Sequence, residues 1–138
     1  ELPQYRGLHT LPLYSCIVPV PPNRPRPGVP GLPLLLARRL SAVLGIPVVT
    51  PLYIKNPGRP QKELTREERL RRAKAAFACR PGTDLTGKRV LLVDDIITTG
   101  ATASACAAAL LQAGAIEVTA VAIAATEELP KAQQKKER

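Results

Sequence analysis

Two adjacent carboxylates, Asp94 and Asp95, directly follow the apolar run Val90, Leu91, Leu92, Val93. A short, uninterrupted apolar run of this kind reads as a strand buried on both faces of a parallel sheet, so the acids stand where that strand leaves the sheet. Side-by-side carboxylates are costly unless something holds them. Sugar hydroxyls can, by donating hydrogen bonds to ionised oxygens, and so can a divalent cation. After Ile96 and Ile97 comes Thr98-Thr99-Gly100-Ala101-Thr102, immediately before a helical stretch. Small residues there let backbone N–H groups converge, Gly100 permits unusual torsions, the threonine hydroxyls add donors, and the helix N-terminus adds its positive end. That is a cradle for a phosphate. A ribose 5-phosphate carries its phosphate and hydroxyls at a matching separation. A bare acid pair would equally suit a solvated strand end or a receiver-type acidic pocket, but neither has use for the turn.

These residues need a scaffold. Residues 15–20 read as a short buried strand ended by Pro21 and Pro22, and 23–33, dense in Pro, Arg and Gly, as a loop. Residues 33–45 read as a helix, with Leu36, Leu40, Val43 and Leu44 on one face, Pro33 in the first turn and Gly45 at the stop. A strand is expected over 48–54, with Pro51 placing it at an edge or bulge. A polar, basic loop over 55–65 leads to a helix over 66–76, a brief strand at 77–79 and a turn over 80–87. Strand 90–93, helix 102–113 closed by Gly114, and strand 118–124 make a βαβ unit. The expectation is an α/β fold: an open, mainly parallel sheet flanked by helices, Rossmann-like, with its ligand at the carboxyl ends of the strands.

Composition narrows the classes. A chain of 138 residues is one domain, and its core must be aliphatic, with three Tyr, one Phe and no Trp. No apolar run approaches the ~20 residues that span a bilayer. Residues 1–10 show no signal-peptide pattern, and the lack of an initiator Met fits a fragment or a processed product. Cys16, Cys79 and Cys106 are odd in number and widely spaced, which suggests free thiols and a reduced, cytoplasmic setting. The net charge of +9 favours polyanionic partners, although much of the excess reads as solvated surface. Residues 82–89, GTDLTGKR, approach a Walker A loop but lack the final Ser/Thr and run into a strand, so they read as a turn. His9 has no evident partner.

The stretch VLLVDDIITTGAT, residues 90–102, resembles the 5-phosphoribosyl-1-pyrophosphate (PRPP) binding motif of type I phosphoribosyltransferases at every defining position. Ile17-Val18-Pro19-Val20-Pro21, Gln61, Glu68-Arg69-Leu70 and Ala76-Phe77 resemble, more narrowly, the competence protein F (ComF) and gluconate-utilisation branch, linked to DNA uptake. The resemblance covers residues 14–126 as one domain, with 1–13 as an amino-terminal segment and 127–138 as a charged tail expected to be disordered. It implies that Asp94 and Asp95 hold the ribose hydroxyls and that Thr98, Thr99, Gly100, Ala101 and Thr102 cradle the 5′-phosphate. It places Pro21, Pro22 and Arg24 at the pyrophosphate, and Lys55 and Arg59 in a loop that closes over it. Mg²⁺ would arrive with PRPP rather than in a protein cage. The implied reaction releases pyrophosphate as a nucleophile enters at C1.

Three departures separate this chain from that branch. Arg26-Pro27-Gly28-Val29-Pro30 stands where relatives carry Arg-Gly-aromatic-Asn-Gln, Arg72 stands where they carry Asn, and a cysteine-rich zinc module is absent. The alternatives are therefore a non-catalytic binder of PRPP or a nucleotide, and a competence accessory protein touching single-stranded DNA. Scarce aromatics weigh against the latter, since such binding relies on base stacking. Homo-oligomerisation is left open.

Overall fold

The computed structural model describes residues 13–22, 26–55, 65, 67–68, 76–97 and 99–125. Its centre is a parallel sheet in the order β1 (Cys16–Pro19), β4 (Arg89–Ile97), β5 (Glu117–Ala125). Helix α1 (Leu32–Leu44) packs on one face and α2 (Ala101–Gln112) on the other. Strands β2 (Leu52–Ile54) and β3 (Phe77–Cys79) form a separate antiparallel pair that packs against α2. The expected open α/β architecture is therefore present, with its parallel character confined to the central sheet.

Alternation along β1 and β4 divides the core in two, because successive strand residues face opposite sides. Ile17, Leu91 and Val93 meet Ala37 of α1, with Leu36 and Leu40 packed around them. Cys16, Val18, Val90 and Leu92 meet Cys106, Ala109 and Leu110 of α2. Ile17, Leu92 and Leu110 are wholly buried, each contributing about 1.5–3 kcal/mol of apolar burial. Alanine-rich α2 presents Ala105, Cys106, Ala109 and Leu110 to the sheet, and these mostly small side chains let it lie close to β4.

Three expectations need correction. The strand expected over 48–54 is broken at Pro51: Val48 makes a single parallel bridge to Ile17, and only Leu52–Ile54 continues, antiparallel to β3. Pro51 has no N–H for a ladder, and its carbonyl instead accepts from the Arg80 amide at 2.8 Å. In α1, Val43 and Leu44 do not join Leu36 and Leu40 in the core, because the helix end projects past the cluster centred on Ala37; Val43 is 81% exposed. Strand β4 does not end at Val93 but runs to Ile97, held by β5 as far as the pair Ile97↔Ala125. The helix expected over 66–76 lies largely outside the described residues. Glu67, Glu68 and Ala76 are helical within it, and the Thr65 hydroxyl accepts from the Glu68 amide at 3.1 Å, a cap for that turn.

All three thiols are free. Burial pushes Cys16 and Cys79 up and lifts Cys106 to about 12, the last also raised by the nearby Asp94 charge. Because the thiolate is the reactive form, an alkylating reagent at neutral pH should leave Cys16 and Cys106 unlabelled until denaturant is added. Mass-mapped labelling of either in the native chain would contradict this packing. No helix among the described residues is long and apolar enough to cross a membrane.

Candidate functional site

The carboxyl edge of the central sheet is built by the unequal lengths of its strands. Strand β1 stops at Pro19, opposite Val93, and the Val20 amide makes a last bond to the Val93 carbonyl at 2.9 Å. Beyond that point β4 has only β5 beside it. The Asp95 amide turns to Asp94 Oδ1 at 2.8 Å, and the Ile96 amide donates to Asp95 Oδ1 at 2.9 Å. The acids thus belong to the strand itself, a consequence of pairing that continues along β5.

The two acids differ in what they line. Asp94 lines a small pocket of about 40 Å³ together with Thr99, Gly100, Ala101, Thr102 and Ala103, whereas Asp95 does not line it. Asp94 also borders the apolar groove between α1 and the carboxyl half of β5, which Asp95 does not line. The two side chains nonetheless share a hydrogen bond, and no cluster of three metal-binding side chains occurs among the described residues.

The turn from β4 into α2 is set by Gly100. It caps the helix with φ 81° and ψ 0°, a left-handed conformation that a residue with a Cβ adopts at a cost of about 1–2 kcal/mol. Its carbonyl accepts from the Ser104 amide at 2.8 Å, starting the helix one residue earlier than expected. The Thr99 hydroxyl accepts from the Ala101 amide at 3.2 Å. A helix N-terminus carries N–H groups without intrahelical partners and a partial positive charge, which makes this turn suited to an anion.

Asp94 and Asp95 differ electrostatically. Burial, then the hydrogen bond shared with Asp95, lifts Asp94 to about 6 from 3.8. Asp95 is held below its ordinary value, chiefly by its hydrogen bond to Asp94. The proton of the pair therefore rests on Asp94. Between pH 3.8 and about 6 the folded chain retains a proton that the unfolded chain releases. Asp94's contribution to stability is thus full below its unfolded pKa and is lost as pH rises through about 6. Binding of hydroxyl donors has the opposite sense, because they favour the ionised carboxylate. Affinity for a ribose phosphate should rise from pH 5 to pH 7, and an Asp94→Asn variant should lose that part of the profile.

The remaining expected site residues are less concentrated. Pro21 is half-buried and Pro22 exposed; both follow β1 at the same edge, with Pro22 against Gly31 at the start of α1. Neither lines the Asp94 pocket. Lys55 is exposed at the end of β2, with its amide on the Ala76 carbonyl at 2.6 Å, and it too stands apart from the pocket. Thr98, Arg24 and Arg59 lie outside the described residues. Two contributors were not expected. Ala103 extends the pocket wall one residue beyond the motif, and Cys106, one turn further along α2, is a buried neutral thiol close enough to feel the Asp94 charge.

The fold agrees with comparison to known proteins. The family model for the phosphoribosyl transferase domain matches residues 28–138, and the chain belongs to that family. Among curated relatives, the adenine phosphoribosyltransferase of Nocardia farcinica is 36% identical over 98 residues, covering 70% of this chain and 50% of the relative. The chain thus spans half the length of that relative. Similar solved structures include the Saccharomyces cerevisiae adenine phosphoribosyltransferase complexed with an imino-altritol bisphosphate and adenine. It has a TM-score of 0.56 and 20% identity, over 89% of this chain and 62% of that one. The glutamine PRPP amidotransferase of B. subtilis, complexed with ADP and GMP, gives 0.55 and 23% over 83% of this chain and 23% of its own. At these identities the structures speak for the fold.

Proposed function

We propose that this chain binds PRPP at the carboxyl edge of β4 and transfers its phosphoribosyl group to a nucleophile with release of pyrophosphate. The observation that carries this reading is a single pocket in which a carboxylate, Asp94, faces a glycine-capped helix N-terminus. The 5′-phosphate would occupy the turn formed by Thr98, Thr99, Gly100, Ala101 and Thr102. Asp94 and Asp95 would hold the ribose hydroxyls. Pro21, Pro22 and Arg24, after β1, would face the pyrophosphate, and Lys55 and Arg59 would neutralise its charge from the loop after β2.

Mg²⁺, arriving with PRPP rather than held in a protein cage, would offset the charge on the leaving group. The chain's own contribution is positioning, charge neutralisation and exclusion of water. The reading extends to a ComF-like role in the reduced cell interior.

Calorimetry with PRPP, with and without Mg²⁺, on the wild type and an Asp94→Asn/Asp95→Asn variant tests binding. Binding by the wild type that the double variant loses is expected. Equal binding by both, or none by the wild type, would sink it. A screen of amines and nucleobases for pyrophosphate release then separates an enzyme from a non-catalytic PRPP or nucleotide binder. The net charge of +9 supports one further reading, contact with single-stranded DNA. A steep loss of DNA affinity with salt is its signature.

A further inference from the structure

An apolar groove of about 330 Å³ opens from the Asp94 site between α1 and the carboxyl half of β5. Asp94 lines both this groove and the small pocket at the start of α2, so the two are adjoining parts of one site. Leu40 and Val43 of α1 and Val121 and Ile123 of β5 give the groove apolar walls. Its ionisable side chains are Arg39, on α1, and Asp94, on β4.

We infer that this groove takes the acceptor, on the premise that PRPP binds at the carboxyl edge of β4, and that the acceptor is an aryl amine carrying a carboxylate. Size is the first reason. Small-molecule sites run from about 300 Å³ upward, and a cavity of about 150 Å³ already holds a benzene ring. A single substituted ring therefore fits.

Polarity is the second. The backbone of the sheet wall is engaged in the ladder, through the pairs Val93↔Val121 and Asp94↔Ala122. A nucleobase would turn most of its ring nitrogens and exocyclic groups toward Leu, Val and Ile side chains. Each polar group left unpaired in this way costs roughly ten-fold in affinity. A benzene ring makes no such demand.

Charge is the third. Arg39 is exposed and joins no ion pair among the described residues. Its guanidinium offers parallel donors to a carboxylate. Asp94 belongs to the opposite wall, which sets the amine at the other end of the ring, as in 4-aminobenzoate. A carboxylate has two oxygens, so a ribose hydroxyl and the amine can share Asp94. In the transfer, the lone pair of the amine nitrogen forms the bond to C1. The C1–O bond to pyrophosphate breaks, and pyrophosphate leaves with that electron pair. The proton displaced from nitrogen passes to the ionised Asp94 carboxylate.

Calorimetry with PRPP checks the premise. NMR titration of the full chain with 4-aminobenzoate and with adenine, both without PRPP, then reads the groove apart from turnover. 4-Aminobenzoate should bind and shift the Val43, Val121 and Ile123 methyl resonances, and adenine should bind roughly ten-fold more weakly or worse. Arg39→Gln and Val43→Glu, both at exposed positions, should each weaken 4-aminobenzoate about ten-fold or more with the circular dichroism unchanged. With PRPP and Mg²⁺ added, 4-aminobenzoate should release pyrophosphate. A chain that binds PRPP yet binds no 4-aminobenzoate, prefers adenine, or holds 4-aminobenzoate equally well in folded Arg39→Gln overturns the inference and leaves the PRPP reading standing. Binding of both compounds without pyrophosphate release overturns the acceptor role. Binding of 4-aminobenzoate without PRPP binding fails the premise instead, and the acceptor role with it.

Discussion

Asp94→Asn should raise the PRPP dissociation constant by about one to two orders of magnitude, the range for losing a hydrogen bond to a charged group. Asp95→Asn should raise it several-fold at most. The asymmetry follows from the pocket: Asp94 lines it with Thr99 to Ala103, and Asp95 does not. Calorimetry on the two single variants decides the matter. Equal losses would mean that the ligand grips both carboxylates alike.

Gly114→Val should destabilise the fold by about 3–5 kcal/mol, among the largest single-residue effects available here. Gly114 has φ 109°, and a Cβ there would meet the Thr86 Cα, N and Oγ1 atoms at 2.9 Å. Backbone lies on the other side of that contact, so no side chain can rotate away. The contact also joins the turn before β4 to the turn before β5, where the Leu85 amide reaches the Ala113 carbonyl at 2.9 Å and the Gly87 amide reaches Gly114 at 3.3 Å. For a domain of this size, the loss corresponds to roughly 10–20 °C in melting temperature. A melt of Gly114→Val within a few degrees of wild type would refute the contact. Gly45→Ala is a control, since it shares a positive φ of 71° but has open space around it, and should cost only about 1–2 kcal/mol.

Much of this arrangement was legible in the residues. The run 90–93, the acids after it and the glycine-centred turn before a helix point to one edge of one sheet, because each has few other uses. Alternation along a strand was equally readable, but its reach was not. Where β4 ends depends on how far β5 runs beside it, and that pairing joins residues some 28 positions apart. The expectation that the strand ends before Asp94 and Asp95 was changed for this reason: β4 runs on through both acids to Ile97. The burial of Val43 and Leu44 failed for a similar one, since helical periodicity shows which residues share a face but not how far the opposing sheet extends. Pro51 carried a warning that proved correct in kind: a bulge or edge was expected, and a change of partner strand was found.

Strand β5 has a bearing on how the protein behaves at high concentration. It is nine residues long, with Glu117 its one charge, and among the described residues only β4 pairs with it. Among the described residues its other edge offers a row of amides and carbonyls to any chain that can approach, the geometry by which sheets join edge to edge into aggregates. Mutual repulsion between molecules of charge +9 opposes that approach, and it weakens as ions shorten the Debye length from about 30 Å at 0.01 M to about 8 Å at 0.15 M. Colloidal stability and shelf life should therefore be greatest in dilute buffer. Light scattering across a sodium chloride series should show the onset of self-association well before any loss of fold.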